Sequence, residues 1–228
     1  MDIYVINLKR RKDRRSSIEA RLRVQGLSAT FVDAVDVREI SDVPSLTQIS
    51  PQRYCIWESH VRAMREIERS SSQYTMILED DAVLHPRINW TDFLAAIESQ
   101  MSASRYDKLQ LGFIQAAYQV GSLKQRVVGI RGSRSGAVEK VTIDRRQYKV
   151  DLGLHRPGSH CYLLSSAAAH LLPQLNNPAW SSTDAFFDRV ASASQLQGRL
   201  RMGSFRKSLA GQESRTSSGS SIDSDNSP

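Results

Sequence analysis

Asp2-Ile3-Tyr4-Val5-Ile6-Asn7-Leu8 is a near-continuous apolar run, the pattern of a strand buried on both faces of a parallel sheet. A helix is expected next. Asp13 can cap it, Ile18 and Leu22 lie four apart on one face, and Gly26 can take the left-handed conformation that ends it. Ala29 to Val35 reads as a second strand, completing a βαβ unit that is right-handed by the usual chirality. The chain is therefore expected to be α/β, with a Rossmann-type, mostly parallel sheet flanked by helices.

Outward from that unit, 36–50 carries few periodic apolar residues and reads as a loop able to close over a ligand. From Pro51 to Arg69, Ile56, Trp57, Val61, Met64 and Ile67 recur at helical spacing, and Pro51 suits a first turn. Strands are expected at 74–78, 108–113 and 159–164, with helices at 91–101, 165–172 (stopped by Pro173) and 183–193. Short runs at 127–130, 138–143 and 148–150, separated by Gly and charged residues, predict a small antiparallel insertion. From Gly211 onward Ser, Thr, Gly and Asp dominate, so the expected division is a domain over 1–210 and a disordered Ser-rich tail over 211–228.

Composition narrows the classes. The 228 residues, 40% hydrophobic and 24% charged, suit an ordinary globular chain and exclude collagenous, coiled-coil and fully disordered ones. Cys55 and Cys161 form no CxxC motif, which leaves no disulfide scaffold or four-cysteine zinc site and fits a reducing compartment. No apolar run approaches the roughly 18 residues of a membrane span, and the first residues lack the charge order of a signal peptide. A cytoplasmic location is expected, with peripheral contact at the inner membrane face as the alternative.

A net charge of +7 points to an anionic partner. Lys9 to Arg15 holds six basic residues and one acid, and Arg131, Arg134, Lys140, Arg145, Arg146 and Lys149 form a looser cluster. Nucleic acid, phospholipid headgroups and a nucleotide diphosphate satisfy this equally, as does a plain solvated basic surface.

The sharpest chemical feature is Met76-Ile77-Leu78-Glu79-Asp80-Asp81. Three carboxylates stand where an apolar strand stops, and ligands of open α/β sheets bind beyond the carboxyl ends of strands. Their mutual repulsion is commonly relieved by a divalent cation. Glu79, Asp80 and Asp81 are thus candidate ligands for Mn²⁺ or Mg²⁺, with Glu79 and Asp81 pointing one way and Asp80 the other. Transfer from a diphosphate leaving group is the chemistry implied; an acidic turn capping the next element is the structural alternative.

Tyr4-Val5-Ile6-Asn7-Leu8-Lys9-Arg10 with Arg14, Phe31-Val32-Asp33-Ala34-Val35-Asp36, Cys55 with Ser59-His60, and Ile77-Leu78-Glu79-Asp80-Asp81 follow one another in the order seen in glycosyltransferase family 25. That family includes the lipooligosaccharide galactosyltransferases. The resemblance runs on through Gly158 to Ser165, Thr183-Asp184, Leu209-Ala210-Gly211-Gln212 and Ser220-Ser221-Ile222. It implies a GT-A-like fold, a nucleotide-sugar donor (a UDP-hexose, galactose first), inversion at the anomeric carbon, and a glycan or glycolipid acceptor, with no nucleic-acid partner. One departure is Pro51-Gln52-Arg53-Tyr54, where the family carries Gly-Glu and Gly ahead of the cysteine.

On that resemblance, Asn7 and the backbone near Leu8 would contact the base or ribose, and Arg10 or Arg14 the diphosphate, which the planar guanidinium fork matches. Asp33 and Asp36 could accept from ribose hydroxyls, with helix capping as the other explanation. Asp184 is the first candidate for the general base that an inverting transfer needs, and Asp188 the second. His60 shares a helical stripe with Ile56, Met64 and Ile67 and reads as a core histidine. A zinc site at His155, His160 and Cys161 is not expected, because strand alternation separates the last two. Rival readings are a metal-dependent phosphohydrolase or nucleotidyltransferase, and a basic module binding nucleic acid or anionic lipid.

Overall fold

The computed structural model describes residues 1–41, 43–44, 47–114, 137–143, 146–193, 198 and 200–213. The expected strand at 127–130, residues 214–228 of the tail, and Arg131, Arg134 and Arg145 of the second basic cluster lie outside them.

The opening run forms β1 (Asp2–Asn7), with Ile3, Val5 and Ile6 all buried. Helix α1 (Lys12–Val24) follows and buries Ile18 and Leu22. Asp13 does not cap it. The Arg11 N–H already turns back to the Leu8 carbonyl, so the helix starts at Lys12, and Asp13 instead accepts from the Arg11 guanidinium at 3.0 Å. Gly26 does end it, at φ +70°, as the N–H groups of Gly26 and Leu27 return to the carbonyls of Arg23 and Leu22.

Next come β2 (Thr30–Asp33), α2 (Pro51–Arg69), β3 (Tyr74–Glu79), β4 (Ala82–Leu84), α3 (Trp90–Ser104) and β5 (Lys108–Gly112). Helix α2 has Pro51 in its first turn, and the Ser50 hydroxyl accepts from the Arg53 N–H. Strands β6 (Val138–Ile143) and β7 (Arg146–Leu152) form the antiparallel hairpin expected there. The chain then builds β8 (Cys161–Ser165), α4 (Ser166–Leu175), α5 (Thr183–Ser192), β9 (Met202–Phe205) and β10 (Ala210–Gln212).

Pro173 does not stop α4, which continues to Leu175. A late proline forfeits one backbone bond, while buried Leu172 holds the last turn to the core, and the Asn176 side chain accepts the N–H groups of Trp180 and Ser181 just beyond.

Among the described residues the strands join in one sheet of order β2-β1-β3-β8-β5-β9-β7-β6. Of the six strands from β2 to β9, five run in one direction and only β8 is reversed. One face is covered by α1 and α3, packed on Ile3, Val5, Met76 and Leu78. The other carries α2, α4 and α5, packed on Ile6, Ile77, Tyr162 and Leu164.

Strand β1 pairs with β2 on one side and β3 on the other, so chain order reverses at β1/β3. That is the switch point beyond which doubly wound sheets bind ligands. The expected boundary after residue 210 falls inside β10, whose Gly211 and Gln212 pair with β4.

Candidate active site

Asn7, Asp33 and Glu79 end three neighbouring strands. Asn7 lies opposite Asp33, and Ile6 opposite Glu79, so the three residues stand along one edge of the sheet. Asn7 Nδ2 donates to Asp80 Oδ2 at 2.7 Å in a buried contact. Arg14 of α1 donates to the other Asp80 oxygen at 3.2 Å. Burial raises the Asp80 pKa, the bonds from Asn7 and Arg14 pull it down, and the neighbouring Asp81 charge pushes it up again; the balance is above the ordinary value.

Glu79 turns to the opposite face of the sheet. Its Oε1 lies 3.5 Å from His60 Nε2, and His60 Nδ1 is 2.9 Å from the Tyr162 hydroxyl. His60 is thus a core histidine, its pKa pushed down to about 3 by burial. Glu79 and Asp80 point to opposite faces, as alternation predicts, Glu79 towards α2 and Asp80 towards α1. Among the described residues no three His, Cys, Asp or Glu side chains converge on a metal position. An ion carried mainly by substrate phosphates needs only one or two protein carboxylates. Asp81, which is buried and whose charge is felt by Asp80, is the candidate for such a donor.

Arg10 Nε donates to Asp36 Oδ2 at 2.5 Å, and the Arg38 N–H to Asp36 Oδ1 at 3.1 Å. Burial opposes ionisation of Asp36, but these contacts outweigh it and hold its carboxyl below the usual range. Leu8 is buried, and its carbonyl is taken by Arg11. Asp33 remains exposed at the rim. The basic stretch at 9–15 is largely compensated: Arg10 pairs with Asp36, Arg11 with Asp13, Arg14 with Asp80 and Arg15 with Glu19.

Asp184 stands in the first turn of α5, where Ser182 is the cap residue. Its Oδ2 accepts the Gly158 N–H at 2.8 Å, and its Oδ1 accepts the Ser159 hydroxyl and lies 3.5 Å from His155 Nε2. Burial alone would raise its pKa; His155, Ser159 and Gly158 together overcome that and leave it below the ordinary range. The loop supplying these groups is fixed by Gln110, whose amide donates to the carbonyls of Arg156 and Gly158 and accepts from the Arg156 N–H. Asp188, the second candidate, has its pKa raised by burial and accepts the backbone N–H of His155. His160 turns elsewhere, with Nε2 3.2 Å from the Ala210 carbonyl.

Lys108, Gln110, Ser159 and His155 escaped the sequence as site residues. Lys108 and Gln110 alternate with Leu109 and Leu111 and so read as the wet face of a strand; the packing of α5 over that face buries them. The usable signal was the proximity of His155 and Ser159 to the Gly158–Ser165 motif.

The crystal structure of a glycosyltransferase involved in glycosylation of the major capsid of PBCV-1 overlays at TM-score 0.50 and 9% identity, covering 99% of this chain and 97% of that one. At that identity the likeness speaks for a GT-A-like fold alone. An active-site mutant of LgtC overlays at TM-score 0.42 and 9% identity over 99% of this chain and 94% of that one. No curated protein matches the chain. Residues 1–186, which span the acidic turn, the strand-end cluster and Asp184, match the profile of glycosyltransferase family 25 (LPS biosynthesis protein), and the chain belongs to that family of enzymes.

Proposed function

We propose that this glycosyltransferase moves a hexose, galactose first, from a UDP-sugar to a hydroxyl of a glycan or glycolipid such as lipooligosaccharide, with inversion at the anomeric carbon. The supporting observation is the Asn7–Asp80–Arg14 cluster at the β1/β3 switch point of a family 25 chain. In this reading the crevice takes the nucleotide. Asn7 and the backbone at Leu8 meet the base or ribose, and exposed Asp33 accepts from ribose hydroxyls more readily than Asp36, whose two oxygens already have donors. Arg10 and Arg14 face the diphosphate, whose oxygens match the planar fork of a guanidinium.

Asp81, assisted by Asp80, would hold Mn²⁺ or Mg²⁺. When bound, the ion supplies positive charge that stabilises the departing diphosphate. Asp184 orients the acceptor hydroxyl and takes its proton as the new glycosidic bond forms. It is held ionised, and the three donors around it leave acceptor capacity for one more hydroxyl.

Among the described residues no helix is long and apolar enough to cross a membrane. With the arginines of 9–15 compensated, contact with an anionic membrane would rest on exposed Lys9 and Lys12.

A thermal-shift panel of nucleotide sugars, with and without Mn²⁺, tests the donor. UDP-hexoses should raise the melting temperature, and more so with the ion. No shift with any UDP-sugar, or release of free sugar phosphate in their presence, removes the proposal.

A further inference from the structure

A lysine lies in the middle of the protein. Lys108, on β5, is 1% exposed. Its Nζ stands 4.6 Å from the ring centre of Tyr162, 4.2 Å from that of Phe187 and 3.1 Å from His155 Nδ1. Burying an amine is costly unless it is hydrogen-bonded, and the imidazole is the hydrogen-bond acceptor it faces.

We propose that Lys108 is a positioning residue that locks the proton of His155 on Nε2 and thereby keeps the Asp184 carboxylate aimed. An ammonium has three donors and no acceptor, and a neutral amine can still donate. While it is charged, Lys108 requires a lone pair on Nδ1, so the single proton of a neutral imidazole resides on Nε2. That nitrogen faces Ser159 Oγ at 3.4 Å and Asp184 Oδ1 at 3.5 Å.

His155 stays neutral because burial pushes its pKa down to about 4, with the Lys108 charge adding to the effect and Asp184 opposing it. Asp184 then meets three donors, His155 Nε2–H, Ser159 O–H and Gly158 N–H, and remains an acceptor towards everything else. The other tautomer would set an Nδ1–H against the ammonium and a bare Nε2 against a carboxylate, two repulsive contacts on a buried imidazole. Phe187 stacks edge-on to His155 at 5.2 Å between ring centres, which holds the imidazole in the plane this needs.

The inference rests on Asp184 acting at the acceptor, but its structural half can be tested without any sugar. Long-range ¹H–¹⁵N correlation spectra of histidine-labelled protein distinguish the two tautomers and the imidazolium. The wild-type protein should show His155 protonated on Nε2 alone at about pH 5.5, where Lys108 is charged and His155 neutral. Lys108→Met should lose that pattern, gaining the Nδ1–H form or an imidazolium that titrates at higher pH.

A wild-type His155 protonated on Nδ1 overturns the proposal, even if the variant does not fold. An unchanged His155 pattern in folded Lys108→Met does so equally. If the tautomer shifts and turnover with the identified donor and acceptor falls at constant donor KM, the positioning role extends to Asp184. If the tautomer shifts and turnover does not, Asp184 is not the base, while the lysine–histidine lock stands.

Discussion

Asn7 Nδ2 lies 2.7 Å from Asp80 Oδ2, joining the end of β1 to the residue just past β3 across the crevice of the switch point. The bond closes a gap between adjacent parallel strands and supplies a donor to a buried carboxylate. Asn7→Ala should therefore lower stability by about 1–3 kcal/mol, the usual effect of stranding a buried acceptor. A urea melt indistinguishable from wild type would show that the contact does not hold the crevice.

Asp81→Ala should leave the fold intact, since the bond from the Glu213 N–H goes to the Asp81 backbone carbonyl. Turnover should fall by about 10²–10³-fold, comparable to losing one group that stabilises charge in a transition state. Chelation of divalent ions should act in the same direction on the wild type. Near-normal initial rates in the variant would remove Asp81 as the ion's ligand.

Asp184→Asn should lower kcat by about 10²–10⁴-fold, the range of general-base contributions, with little change in donor affinity. Circular dichroism belongs beside the kinetics, because the new amide presents N–H groups to Ser159 and His155. Equal kcat in a folded variant would count decisively against the base assignment.

Gly158 has φ +102°, and a Cβ there would come within 2.9 Å of Ile114 Cγ1 and 3.1 Å of His160 Nδ1. Gly158→Ala should cost about 1–3 kcal/mol of stability for the backbone strain. It should also slow turnover, since the Gly158 N–H is one of the donors holding Asp184. Wild-type melting and rate together would mean that the loop relaxes freely.

Lys108 makes stability depend on pH. Burial lowers its folded pKa from 10.5 to about 7, against the attraction of Asp184. Between those two values the unfolded chain keeps the proton that the folded chain has lost, so the unfolded state binds more protons and stability rises with pH. Relative to Lys108→Met, the wild type should gain up to roughly 1.4 kcal/mol per pH unit on going from pH 7 to pH 10. Parallel melting curves across that range would mean that Lys108 titrates normally.

Long periodic segments were legible in the sequence. The apolar stripe of α2 predicts its bounds as observed, and Trp57, Val61, Met64 and Ile67 of that stripe are buried. Strands β4, β9 and β10, of three or four residues, were not legible; Met202-Gly203-Ser204-Phe205 and Ala210-Gly211-Gln212 form strands because β5, β7 and β4 offer them partners.

At the site, the position of the acids after an apolar strand was readable, and so was the placement of Asp184 at a helix start. Which face each acid takes was readable only in part. Alternation separates Glu79 from Asp80, but Asp81 lies beyond the strand in a turn where the two-residue period no longer applies. The lysine–histidine contact joins residues 47 apart, one on β5 and one in the loop that Gln110 fixes, so no local pattern announces it.

Strand β10 leads directly into Glu213, whose N–H bonds the Asp81 carbonyl and whose carboxylate meets Arg21 at 2.5 Å. A chain cut ahead of Ala210 would lose the strand that pairs with β4 together with both of these clasps on the acidic turn and on α1.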